Sequence, residues 1–245
     1  MTDSNGRRRI LHTADLHLAS YGDKACDSLA ALVDLAIKLK VDLAFIVGDF
    51  FDHNRVDQDV VNFAIKQLAR LPVDTIILPG NHDCFVPESV YLRKEFASLW
   101  SSLPHVRIVK APEGETVVFP ELGISVWGKP IVSYDADMRP MANIPKPEAN
   151  GQWHIALAHG YYNGVDGDDY RQFPITLEEI IASRQDYVAL GHWPTFRCVC
   201  NEPVKAYYCD SPSMAGTVNI VDLSRGSGVE VTRQPLLQSG VGDKE

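Results

Sequence analysis

Five mostly apolar runs in this chain each stop at a short cluster of Asp, Asn, His and Gly, and few folds can use that pattern. The runs are Arg9–Leu11, Leu43–Val47, Thr75–Leu78, Ile155–Ala158 and Tyr187–Leu190. The clusters after them are Asp15-Leu16-His17, Gly48-Asp49-Phe50-Phe51-Asp52, Gly80-Asn81-His82-Asp83, His159-Gly160 and Gly191-His192. Apolar runs of this length without polar alternation read as strands buried on both faces. In open α/β sheets, sites form at the carboxyl ends of the strands. Five such ends on one edge would assemble a single site.

The spacing between the runs supports parallel strands. Lys24–Lys40 carries Leu29, Leu32, Val33, Ala36, Ile37 and Leu39 at close to helical spacing, and Asp57–Leu71 repeats the pattern with Val60, Val61, Ala64, Ile65 and Leu68. Pro87–Trp100 predicts a third helix with its proline in the first turn. Strand–helix alternation implies right-handed crossovers. From Val106 the strands shorten and tight turns separate them, Asn201-Glu202-Pro203 among them, which predicts a second, mixed or antiparallel sheet. One more helix is expected near Thr176–Ser183. The expectation is α/β: a four-layer α/β/β/α sandwich of two mixed sheets flanked by helices. It forms one domain over residues 1–235, with a flexible tail at 236–245. The loops Ser133–Gly151 and Tyr161–Pro174 are long enough to be functional. Asp166-Gly167-Asp168-Asp169 is too short for a calcium loop.

Bulk properties narrow the function. No run approaches the length of a membrane span, and the polar start has no secretory core, so a cytoplasmic location is expected. The net charge of −9 argues against broad, nonspecific nucleic-acid binding. Five cysteines, an odd number, point to free thiols in a reducing compartment. Cys198-Val199-Cys200 with Cys209 does not match structural zinc spacing.

The clusters supply carboxylate, imidazole and amide donors. Asp15 and His17 can reach one cation if the chain turns at the strand end. Asp49 is placed to bridge two cations, since a carboxylate offers two oxygens. Asn81 offers an amide oxygen, and His159 and His192 offer ring nitrogens. Oxygen and nitrogen donors without thiolate suit manganese first, then iron or zinc. Two such ions roughly 3.5–4 Å apart grip a phosphate and activate a hydroxide for in-line attack. His82, next to a ligand, is the candidate transition-state stabiliser or general acid. Asp83 would hold its tautomer. Asp52 would orient His17 or His82, while His53 and Arg55 would contact substrate phosphate. Tyr161 and Tyr162 are candidates to stack on a base, and Trp193 to line the pocket.

At this point the chain resembles the calcineurin-like metallophosphoesterases, whose five motif positions can be located from Asp15 to His192. Leu11–Leu18, Asp186–Trp193 and Tyr208–Pro212 are most similar to the double-strand-break repair exonuclease branch. The resemblance implies one metal on Asp15, His17 and Asp49, and a second on Asp49, Asn81, His159 and His192. It also exposes a departure: the usual Gly-His-x-His ends here in Pro194. The first site is therefore expected to be the weaker, completed by water or a substitute such as His12 or His53. Only about 30 residues follow Ser211-Pro212, against the longer repair nucleases. The expected function is metal-dependent hydrolysis of a phosphodiester, with a nucleotide or other small diester favoured as substrate and DNA as the alternative. A catalytically reduced binding or scaffold protein is the second alternative.

Overall fold

The computed structural model describes residues 6–135, 137–164 and 172–236. The Asp166–Asp169 stretch and the expected tail beyond residue 236 lie outside the described residues. The first half runs β1 (Arg8–Thr13), α1 (Lys24–Leu39), β2 (Leu43–Val47), α2 (Gln58–Leu68), β3 (Thr75–Leu78), α3 (Lys94–Ser101) and β4 (Val106–Ile108). There follow β5 (Glu115–Phe119), β6 (Ile124–Gly128), β7 (Trp153–His159), the short β8 (Tyr161–Tyr162) and β9 (Pro174–Ile175), then α4 (Leu177–Ser183). The chain continues through β10 (Tyr187–Gly191), β11 (Arg197–Cys200), β12 (Lys205–Tyr208), α5 (Pro212–Ala215), β13 (Thr217–Ser224) and β14 (Gly228–Pro235).

Two six-stranded sheets result, ordered β14-β13-β1-β2-β3-β4 and β11-β12-β10-β7-β6-β5. β1 to β4 are parallel, as are β6, β7, β10 and β12. Alternate side chains build three apolar layers, which is why the runs show no polar alternation. In β2, Ala44 and Ile46 face α1 and α2, while Leu43, Phe45 and Val47 fill the space between the sheets. In β10, Tyr187 and Ala189 enter that space, and Val188 and Leu190 pack outward against Ile180 of α4. Met141 and Ile144 join this outer cluster, so the 133–151 loop covers part of the second sheet. The architecture is the expected four-layer α/β/β/α sandwich.

Two expectations need correction. Strands after Val106 do not all enter the second sheet. β4 extends the first sheet beside β3, and β13 pairs antiparallel with β1 across Arg8–His12. This pairing spans most of the chain, and no local pattern reports it. The third helix begins at Lys94, not Pro87. Residues before it are held by tertiary bonds instead: Val90 N donates to Asn54 Oδ1 at 2.9 Å, and Tyr91 Oη donates to Asp83 Oδ2 at 2.7 Å. Two of the other helices, α1 and α4, start at side-chain caps. Asp23 Oδ1 accepts from Cys26 N at 2.9 Å at the head of α1. Thr176 and Glu179 form a capping box at α4, satisfying amides left open by the first turn.

Candidate metal centre

Parallel register brings the carboxyl ends of β1, β2, β3, β7 and β10 to one edge, where the two sheets face each other. Beyond the strands, the loops after β1 and β2 keep pairing. His17 N donates to Asp49 O at 3.0 Å, and Leu18 N to Phe50 O at 3.0 Å. Asp15, His17, Asp49 and His192 all sit in the left-handed region, with φ of 55°, 53°, 51° and 97°. Such backbone costs about 1 kcal/mol or more per residue and gathers at functional sites. Here it turns each strand end so that its side chain enters the gap. Glycines permit the close approach. A Cβ on Gly48 would run into the His159 ring, and one on Gly80 would lie 2.5 Å from the Asp49 amide nitrogen.

The donors converge. Asp49 Oδ2 and Asn81 Oδ1 lie 3.2 and 3.0 Å from the same atom, His159 Nε2. Asn81 Oδ1 is also 3.0 Å from His192 Nδ1. On the other side, His17 Nε2 is 3.9 Å from Asp49 Oδ2, and the His17 and His82 rings meet edge-on at 4.6 Å. Among the described residues, two groups have donor atoms close enough to share a cation: His17, Asp49 and His82, and Asp49, His159 and His192. Asp49 is the member common to both. Asp15 is in neither group, and its Oδ2 accepts the His192 amide at 3.0 Å. In the first group His82 stands where the resemblance implied Asp15.

Three imidazoles have Nδ1 engaged by an oxygen. His159 Nδ1 donates to Val47 O at 2.9 Å, His17 Nδ1 to Asp52 Oδ1 at 3.1 Å, and His82 Nδ1 to Asp52 O at 2.8 Å. Each ring thereby presents Nε2 to the site, the arrangement in which an oxygen behind a metal-binding His fixes its tautomer. Electrostatics say the same. Burial alone would depress the His159 imidazolium, yet the carboxylates of Asp49 and Asp15 override it and lift the group to about 9. Burial, reinforced by the charge of Asp49 against the opposing pull of His159, raises Asp15 to about 7. Burial works against Asp49 too, but the neighbouring His159 charge holds its carboxyl well below the usual range. His192 is lowered to about 4 by burial and by the His159 charge. A proton on His159 thus occupies the point on which buried oxygens converge. A divalent cation fits that place, and the donor set of carboxylates, amide and imidazoles suits it.

Cation binding must expel those protons. At pH 7 the cation-free site holds one on His159 and part of one on Asp15. Affinity should therefore rise with pH towards about 9, with release of roughly one to two protons per chain at neutral pH. Titration calorimetry in buffers of different ionisation enthalpy measures this. A pH-independent affinity would remove His159 from the ligand set.

The remaining expected residues divide. His53 and Arg55 line an open cleft beside Asn81 and His82. Asp83 does not meet His82. Its buried carboxylate accepts from Gly80 N at 2.7 Å, Phe50 N at 2.9 Å, Phe51 N at 3.2 Å and Tyr91 Oη at 2.7 Å. It ties the β2 and β3 loops together rather than setting a tautomer. Tyr161 and Tyr162 are buried and unable to stack on a base. His12 is no substitute ligand: it is fully buried, with Nδ1 2.8 Å from Tyr187 Oη and Nε2 3.2 Å from Leu190 O. Pro194 contributes its carbonyl to Ser211 N. Sequence reasoning missed Ser211, whose Oγ donates to Asp15 O at 2.7 Å and steadies that turn. It was visible only as part of Tyr208–Pro212.

The chain is 28% identical over 205 residues to the uncharacterized metallophosphoesterase YhaO of Bacillus subtilis (strain 168), covering 75% of this chain. It matches only 48% of that protein, so it spans about half the length of this curated relative. Among solved structures, TT1561 of Thermus thermophilus superposes with a TM-score of 0.63 at 14% identity, covering 94% of this chain and 99% of that one. A structure described as a novel archaeal phosphodiesterase gives 0.50 at 15% identity, covering 93% and 99%. At those identities the two structures speak for the fold alone. The family model for calcineurin-like phosphoesterases matches residues 8–199, and the chain belongs to that family.

Proposed function

We propose that this chain is a divalent-cation-dependent phosphodiesterase with a dinuclear centre on either side of Asp49. The observation that carries the reading is the sharing of Asp49 between two groups of close donors. His17 and Asp49 would hold one cation, joined by Asp15 as the family resemblance implies and leaving His82 of that donor group for the substrate, and Asp49, Asn81, His159 and His192 would hold the other. Bound there, such a pair supplies Lewis acidity towards the phosphoryl oxygens and lowers the pKa of a water enough to attack phosphorus at neutral pH. The protein's own part is orientation and proton handling. Val47 O and Asp52 fix the rings of His159 and His17. His82, with Nδ1 on Asp52 O, keeps Nε2 for the departing oxygen. Pro194 offers no side-chain donor, so the first site is the weaker, and manganese is the first choice of ion. A net charge of −9 and a cleft of about 540 Å³ favour a small diester over DNA. The free thiols fit a reducing, cytoplasmic setting.

Turnover of bis-p-nitrophenyl phosphate with manganese, set against the monoester p-nitrophenyl phosphate, tests this. The diester should be preferred, and a chelator should abolish the reaction. Faster release of nucleotides from DNA would turn the reading to a repair-type nuclease. No turnover with any divalent ion, and one cation or none per chain, would turn it to a binding or scaffold protein.

A further inference from the structure

The cleft opening from Asn81 and His82 has a volume of about 540 Å³. That is the size of a small-molecule pocket, typically ~300–1,000 Å³, and far larger than a phosphoryl group needs. Part of its wall is Tyr134, 66% exposed. Among the described residues the Tyr134 ring packs on no other ring and its hydroxyl has no hydrogen-bond partner. The backbone around it is nevertheless anchored. Ile131 O accepts from Phe85 N at 2.7 Å and from Cys84 Sγ at 3.3 Å. Met138, on the other flank, packs on the buried cluster of Cys84, Ile131 and Phe173. Both sides of the Tyr134 segment are thus fastened to the structure beside the loop carrying His82.

We propose that this cleft receives the planar base of a nucleoside ester, with Tyr134 as the stacking residue that sets specificity. The inference rests on the phosphodiesterase reading and adds the class of ester group. Val86 and Pro87 give the cleft apolar surface. Glu88 contributes a carboxylate that can accept from an exocyclic amine or a sugar hydroxyl, and that repels a second phosphate. Arg55 contributes a guanidinium with no ion pair among the described residues, available to the single phosphate or to the face of the base. Aromatic stacking on a base tolerates any base identity, so the selection is for a nucleoside with one phosphate and not for a sequence.

Adenosine 5′-monophosphate and ribose 5-phosphate carry the same phosphate and differ by the base. Titration calorimetry on the manganese-loaded protein should find the nucleotide about tenfold tighter, the scale of one base stacked on an aromatic ring. Tyr134→Ala should make the two ligands equal, while Tyr134→Phe keeps the preference. Equal binding by the unaltered protein, or a preference that survives Tyr134→Ala, overturns the inference. Binding of neither ligand removes the phosphate-binding reading and this inference with it. Equal binding alongside metal-dependent diester turnover leaves that reading standing and sinks only the base subsite.

Discussion

Asp49→Ala lowers phosphodiester turnover by about a thousandfold or more and leaves at most one tightly bound cation per chain. A preorganised group acting on transition-state charge is worth about 10²–10³ by itself, and Asp49 serves two donor groups at once. Its carboxylate lies 3.2 Å from His159 Nε2 and 3.9 Å from His17 Nε2, and its Oδ1 accepts the His82 amide at 2.9 Å. Asp49→Asn separates charge from shape. The amide oxygen can still accept from His82 N, but the charge that lifts His159 to about 9 is gone. Both variants should lose the second cation in metal analysis. Retention of two cations by Asp49→Ala would mean that the donors around it do not share an ion through it.

Asp83→Ala acts on a different link, stability. Four donors from three segments converge on its buried carboxylate. Truncation leaves Phe50 N, Phe51 N, Gly80 N and Tyr91 Oη without an acceptor. An unsatisfied buried group costs about 1–3 kcal/mol, so a loss of about 4 kcal/mol or more is expected. In a domain of this size that corresponds to a fall of roughly 8–16 °C in the thermal midpoint. Asp83→Asn recovers only part, because its amide nitrogen is a donor facing donors. Thermal unfolding followed by circular dichroism decides the point. A midpoint unchanged while turnover collapses would restore Asp83 to a role beside His82.

The two variants also mark what could be read in the sequence. Asp15, His17, Asp49, Asn81, His82, His159 and His192 were all placed by one local rule: a donor residue just after a buried strand. The structure does bring them to one edge, because parallel register puts carboxyl ends together. Asp83 lies in the same cluster but points the other way, into the turn. No spacing argument separates neighbouring residues whose side chains leave opposite faces of a loop. The Gly80–Asp83 cluster located Asp83 without saying what its carboxylate touches. Tyr161 and Tyr162 failed similarly. An aromatic pair beside a ligand reads as a stacking platform until the structure shows both rings buried, Tyr162 in the second sheet's outer layer and Tyr161 against Trp193. Tyr134, in a proline-bearing loop with no motif, carried no sequence signal for the exposed position it takes.

What the sequence determined alone was the donor types at the strand ends and the class of fold. Apolar runs must be buried on both faces, helical spacing between them enforces parallel crossovers, and Asp, Asn and His at the ends are the residue types that hold hard and borderline cations. Those properties follow from interactions a few residues long. The tertiary structure decided the rest: the return of β13 to β1, the left-handed turns that aim four side chains inward, the four donors on Asp83 and the ring beside the cleft. Each of these depends on contacts between segments far apart in the chain, and such contacts exist only once the layers have packed.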